Sequence, residues 1–296
     1  MNAVKNKAKI KFLTHKIIEM TAHDKRKTLI VTIILVLAFI ANNVSAGAKE
    51  LIKQMSHEVN YINKKPLIVF LISEDTNNYE AHKTVPVFAE MLQKEHGYDV
   101  SVLLGTGGHG SYRYPSLDVL SKADLLVVFA RRLALPHEQM NAIKNYLSKG
   151  KPLIGIRTAH HAFSVLDKVE EGYENWPAFT SDFLGCENRG YGPAELGYDV
   201  SIVSEAANHP ILEEIQPQQW HVEGGLYHVA LLDKDATVLL RGKLNDKIEP
   251  VAWTRTAGKS RVFYTSLGHS SDFKTPQFIT LLLNGIKWTL DKKNKD

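Results

Sequence analysis

The chain has a single cysteine, Cys186, in 296 residues. One thiol excludes an internal disulfide, an all-cysteine zinc site and a redox dithiol. No HExxH or His-x-His spacing marks a metalloenzyme, and the glycine-rich stretch Gly105-Thr-Gly-Gly-His-Gly110 lacks both the GK[ST] ending of a phosphate loop and the GxGxxG order of a dinucleotide fold. The apolar run Thr28 to Ala41 has 14 residues, where a bilayer wants about 20. Internal repeats and low-complexity segments are also missing. Excess charge is missing from most of the chain as well. The formal +4 arises in residues 1–46, which hold eight Lys/Arg against Glu19 and Asp24, leaving 28 basic and 30 acidic residues in the remaining 250. A near-neutral body has no electrostatic footprint for nucleic acid.

What is present begins with a leader. Lys25-Arg26-Lys27 precedes the apolar run, and Asn42-Asn43-Val44-Ser45-Ala46-Gly47 follows it with a V-x-A cleavage pattern. Basic, apolar, then small is the order of a secretory signal peptide. The expectation is a cleaved leader over 1–46 and a periplasmic or secreted protein, with no stable membrane insertion after cleavage. An uncleaved membrane anchor is the alternative, and Met20 is an alternative start. Residues 47–65 read as a polar linker or N-terminal arm.

From Pro66 onwards, punctuation is regular. Leu67 to Ile72, Leu125 to Ala130 and Pro152 to Ile156 are short apolar runs of the kind buried on both faces of a sheet, with Val100 to Leu104 a further strand. Glu80 to His96, Pro136 to Ser148 and Pro276 to Leu290 carry helical spacing, the first two ending at Gly97 and Gly150. Further strands are expected at 198–203, 226–232, 237–240, 251–254 and 261–266. Buried strands alternating with amphipathic helices predict a doubly wound, mostly parallel α/β sheet with helices on both faces.

Ligands of such sheets sit at the carboxyl ends of the strands. The residues there are Ser73, Glu74, Asp75 and Tyr79 after the first strand, and Arg131 and Arg132 after the Leu125 strand. Arg157, Thr158, His160, His161 and Phe163 follow the Pro152 strand, and His269 and Asp272 follow the Arg261 strand. Arg157-Thr-Ala-His-His-Ala-Phe163 is the most informative segment: a fixed cation, a hydroxyl and two acid/base imidazoles delivered by one strand. Phe163 and Trp176 are candidates for an apolar wall against a sugar ring. The bland alternative pairs Arg157 with a carboxylate and leaves one histidine satisfying buried carbonyls. No cofactor is implied, although His160, His161, His209, His228 and His269, with Glu74 or Asp272, are a conceivable divalent-metal set. Cys186 follows a helical segment, off the strand ends, and nothing marks it as a nucleophile.

Several of these segments resemble the trehalose-utilisation (ThuA-like) family of the class I glutamine-amidotransferase-like superfamily. They are Leu71-Ile-Ser-Glu-Asp75, Ala123 to Arg131, Leu135-Pro with Glu138-Gln-Met140, and Gly150-Lys-Pro-Leu-Ile-Gly-Ile-Arg-Thr-Ala-His160. His209-Pro-Ile-Leu212, Pro250 to Thr254 and Arg261 to His269 complete them. The resemblance spans roughly 66–290, within a domain placed at 66–291. It implies a flavodoxin-like fold and a role in carbohydrate metabolism on glycosides or keto-sugars. Amidotransferases carry a cysteine at the elbow after a strand, where Gly155-Ile-Arg-Thr158 stands here, so glutaminase activity is not expected.

The resulting expectation is an exported hydrolase or lyase on a small-molecule carbohydrate. Arg157, His160, His161 and His269 are the catalytic candidates, and Glu74, Asp75, Tyr79, Arg131, Thr158, Phe163 and Trp176 the substrate-binding ones. The rivals are a non-catalytic carbohydrate-binding module, stacking sugar on Trp176, Tyr227 and Trp253, and an assembly role for an unused enzyme fold. A homo-oligomer is compatible with each.

Overall fold

An all-apolar run is stable in extended form only where both faces are covered, and β1 (Leu67–Ile72) and β3 (Leu125–Phe129) lie side by side, almost wholly buried, inside such a sheet. The computed structural model describes Lys65 to Asp291, apart from Leu232, Asp233 and Asp235. The predicted leader, nearly all of the arm and the charged tail lie outside the described residues.

β2 (Asp99–Leu104) pairs with β1 on its other side, and β5 (Leu153–Ile156) extends the sheet from β3, all in parallel. β13 (Ser260–Thr265) joins β5 in parallel, and β12 (Lys247–Ala257), β11 (Thr237–Leu244), β8 (Tyr198–Ile202) and β9 (Gln219–Val222) follow by antiparallel pairing. The order is β2-β1-β3-β5-β13-β12-β11-β8-β9. Only β12 and β8 run against the rest, so seven of the nine strands share one direction. β4 (Leu135–Pro136) pairs with β6 (Tyr173–Glu174), and β7 (Cys186–Tyr191) with β10 (Tyr227–Leu231), as two small flanking ladders.

The helices divide between the faces. α1 (Ala81–Glu95) and α3 (Pro276–Leu290) bury Val85, Phe88, Leu92, Phe278, Leu281 and Ile286 against Ile68, Phe70, Ile72 and Phe129. α2 (His137–Ser148) buries Met140, Ile143 and Leu147 against Val69, Leu71, Leu126 and Val128 on the opposite face. Each fully buried side chain of this size contributes roughly 1.5–3 kcal/mol. This is the expected flavodoxin-like, doubly wound arrangement. Its strand-rich second half extends the parallel sheet instead of forming a separate layer. Among the described residues, no helix is long and apolar enough to cross a membrane.

Candidate active site

The chain leaves β1 towards β2 on one side and returns to β3 on the other, so the switch in strand order opens between the ends of β1 and β3. Asn78 closes the base of that opening. Its amide donates to the Ser73 carbonyl (2.8 Å) and the Phe129 carbonyl (3.0 Å), while its oxygen accepts from the Thr158 hydroxyl. Thr158 therefore ties the end of β5 to those of β1 and β3.

Above this knot lies Asp75. Its carboxylate accepts from His109 Nε2 at 2.7 Å and from the Arg131 guanidinium at 3.2 Å. Burial raises the Asp75 pKa, but the Asn77 backbone N–H, His109 and Arg131 together hold it below the usual carboxylate range. His109 Nδ1 reaches the exposed Asp167 at 3.2 Å. The loop supplying His109 is strapped to the 167–170 segment, the Glu170 N–H donating to the Gly110 carbonyl. Gly107 in that loop has φ +119° and leaves no room for a Cβ, which would fall 2.2 Å from the Ser111 carbonyl. Ser73, Glu74, Asp75, Gly107, Gly108, His109, Tyr112 and Leu133 line a pocket of about 300 Å³. Glu74 stands at its rim, its side chain 67% exposed and 3.8 Å from His82.

Arg157 occupies the elbow after β5 with φ +46°, and its carbonyl accepts from the Tyr264 hydroxyl at 2.7 Å. The guanidinium is fully buried, 3.9 Å from the Tyr79 ring centre and 4.8 Å from that of Tyr227. It donates to the Ser266 carbonyl at 2.7 Å, and among the described residues it has no carboxylate in ion-pair range. Gly224 makes its room: a Cβ there would lie 2.6 Å from the guanidinium. Burial raises the Tyr79 pKa, but the neighbouring Arg157 charge and a hydrogen bond to Tyr227 bring it below normal. His269 packs edge-on to Tyr79 at 5.7 Å, on a turn closed by Asp272, whose carboxylate accepts from the Gly268 and His269 N–H groups at 2.7 and 2.9 Å. Burial, then Arg157, lowers the His269 pKa.

His160 and His161 lie in the next turn, their rings 4.4 Å apart and His160 stacked on Tyr227 at 4.7 Å. Both are buried; neither ring nitrogen of His161 has a hydrogen-bond partner, and His160 reaches the Asn188 side chain and the Arg157 backbone. Burial, partly offset by hydrogen bonds to the Asn188 side chain and the Arg157 backbone, pushes His160 down to about 3, and His161 is likewise driven well below its normal value. Burial thus favours the neutral form of both imidazoles.

The strand ends thus bring together Asp75 with Arg131, Arg157 with Tyr79 and His269, and His160 with His161. Phe163 and Trp176 are elsewhere. They stack at 6.4 Å within a cluster completed by Phe179 and Phe183, with Phe163 buried as part of the core on the α2 face. Of the three stacking residues expected of a sugar module, two are covered: Trp253 is wholly buried, its indole donating to the Leu184 carbonyl at 2.8 Å, and Tyr227 is buried against His160, while Trp176 is partly exposed. Cys186 corrects an expectation. It lines a second pocket beside His160 and His161 instead of lying away from the strand ends, because β7 folds back over the turn; its buried thiol is pushed up to about 12. The five histidines proposed as a metal set are dispersed: His209 accepts from the Ile211 N–H, and His228 faces Glu249 at 3.1 Å. Among the described residues, no group of three or more His, Cys, Asp or Glu is placed to hold a metal ion. His109 was the residue missed from the candidate list. A histidine in a glycine-rich loop directly after a strand was the available signal.

Fold and strand order define a flavodoxin-like α/β protein whose elbow after β5 carries Arg157 and no cysteine. The chain belongs to the ThuA family, described as trehalose utilisation, whose family model matches residues 68–289. A ThuA-like protein of Bacteroides uniformis has a similar fold, with a TM-score of 0.58 at 16% identity over 78% of this chain and 94% of that one. A ThuA-like protein of Parabacteroides merdae has a TM-score of 0.55 at 17% identity over 77% and 91%. None of the curated proteins matches the chain.

Proposed function

We propose that this chain, after export behind its leader, processes a glycoside or keto-sugar by His/Arg acid-base chemistry in the pocket above the β1–β3 switch. The observation that carries the reading is the 2.7 Å contact between Asp75 and His109 on the wall of that pocket. A carboxylate held below its usual range by the Asn77 N–H, His109 and Arg131 orients the imidazole, which is the relation a general base needs with its orienting group. The partner on the other ring nitrogen, Asp167, is 69% exposed, and a surface pair of that kind is worth little. Nδ1 can therefore exchange Asp167 for a substrate proton. His109 would take the proton from a carbon beside the keto group, or from water, and return it to the leaving oxygen. Arg157 would act from the elbow, holding Tyr79 beside it, against which His269 packs. Glutaminase chemistry has no support, since the elbow lacks a thiol. The trehalose-utilisation family supports carbohydrate as the substrate class.

The test is turnover of a panel of glycosides and their 3-keto derivatives by wild type, His109→Gln and Asp75→Asn. Removing a positioned acid/base group costs about 10²–10⁴-fold in rate, so His109→Gln should lose that much kcat with little change in melting temperature. Asp75→Asn should follow it. Undiminished turnover by folded His109→Gln would refute this placement of the chemistry. Saturable binding by wild type with no turnover across the panel would favour the binding-module alternative.

A further inference from the structure

The second pocket, of about 330 Å³, is lined by Arg132, His160, His161, Thr180, Cys186 and Asn188, among others. Its polar groups are poorly satisfied. Both His161 ring nitrogens and Arg132 Nε are buried without a hydrogen-bond partner, while His160 has the Asn188 side chain and the Arg157 backbone within reach. Buried polar groups are normally paired, and orphans concentrated on one cavity wall mark a place where a ligand supplies the partner. The Thr180 hydroxyl is already committed, donating to the His160 carbonyl at 2.6 Å. Asn188 uses its oxygen to accept from the Gly190 N–H at 2.8 Å, and its side chain also reaches His160 at the pocket wall.

The sign of the charge follows from its arginine. Arg132, held at φ +56°, donates through one terminal nitrogen to the Ser164 carbonyl at 3.0 Å, and among the described residues it has no ion-pair partner. Two exposed carboxylates stand near it, Asp167, which contacts His109 at 3.2 Å, and Glu187, which lines the pocket rim and contacts Arg189 at 3.3 Å; neither is in ion-pair range of Arg132. Arg157, fully buried, interacts with the buried Asp272 carboxylate and takes no part in this site. A guanidinium with no ion-pair partner among the described residues, beside imidazole donors, is complementary to an oxyanion.

We propose that this pocket is a second ligand site, distinct from the Asp75–His109 pocket, that receives the oxyanion of an acidic sugar on Arg132, with His160, His161 and Asn188 bonding its oxygens and neighbouring hydroxyls. Each imidazole brings one donor and one acceptor, a pairing that suits adjacent hydroxyl and anionic oxygens of a sugar and suits neither a bare hydrocarbon nor a cation. The site makes no use of the elbow chemistry and requires no turnover.

The experiment is calorimetric titration of the full exported protein with D-glucose, D-glucuronate and D-glucose 6-phosphate, repeated on Arg132→Gln, Arg132→Lys and His109→Gln. Wild type should bind at least one acidic sugar about tenfold or more tighter than glucose; the glucuronate and phosphate arms say which oxyanion the pocket takes. Losing a charge-assisted contact weakens binding by about 10- to 100-fold, so Arg132→Gln should lose the preference for acid over glucose. Arg132→Lys, which keeps the charge but not the fork, should regain part of it. His109→Gln should retain it even where turnover is gone, which separates this site from the proposed catalytic one. Equal binding of all three sugars, no binding by any, or an unchanged acid preference in folded Arg132→Gln would overturn the proposal.

Discussion

Arg157 shows how a single residue is decided by its surroundings. The alternative of an arginine–carboxylate pair is replaced in the structure by a guanidinium clasped between Tyr79 and Tyr227 and bonded to the Ser266 carbonyl. Truncating it would strand that carbonyl and open a void under two aromatic rings. Arg157→Ala should therefore cost about 2–4 kcal/mol, lowering the melting temperature by roughly 6–12 °C for a domain of this size. Thermal denaturation followed by circular dichroism checks this, and a shift of a degree or two would mean that the guanidinium is not a structural clasp. At this scale the sequence was partly legible. Asp75, Arg131 and Arg157 stand directly after apolar strands, so their arrival at one edge followed from the strand pattern. His109 did not, because its approach to Asp75 depends on a strap between two loops about 60 residues apart, and no periodicity encodes that contact.

Among the elements, the turn Arg157–His161 has the clearest pH signature. His160 and His161 are buried in the neutral form, so protonation favours the unfolded chain. Their contribution is complete above the unfolded value of about 6.5 and is lost as pH falls towards the depressed folded values, by up to about 1.4 kcal/mol per pH unit for each imidazole. Asp75, with a lowered pKa, adds loss only at more acidic pH, as its carboxylate protonates. Melting temperature should thus decline between pH 6.5 and 5, and His160→Gln with His161→Gln should flatten that decline; a wild-type profile flat down to pH 5 would show the imidazoles to be charged or solvated. β7 is the element that the sequence hid best. Cys186 to Tyr191 is mostly exposed and polar, with no alternating apolar positions to reveal it. Its cysteine, buried and with a raised pKa, should resist alkylation by iodoacetamide until the protein is denatured, and Cys186→Ser should retain the sugar turnover or binding of wild type. Rapid labelling of the native protein would show the thiol to be reactive after all.

For the whole molecule, the main helices and the parallel half of the sheet were legible because apolar runs, helical spacing and Gly97 and Gly150 agree about the same boundaries. The edge beyond β12 was less so: β9 carries Gln219 and His221 on exposed positions and is a strand only because β8 lies beside it. The export expectation rests on residues 1–46, and intact-mass analysis of protein recovered from the periplasm or medium should give a chain beginning near Gly47; a full-length mass in the membrane fraction would favour an anchor.

The position of β13 matters before any substrate is met. It is the fifth of nine strands across the sheet and the last to be synthesised, and its partner β5 precedes it by about 105 residues. Until residues 260–265 leave the ribosome, β5 and β12 each present a bare edge and the two halves of the sheet cannot join. Closing so long a loop makes folding slow. A nascent chain of this design therefore cannot complete its sheet until residues 260–265 have been made, however early its first strands pair.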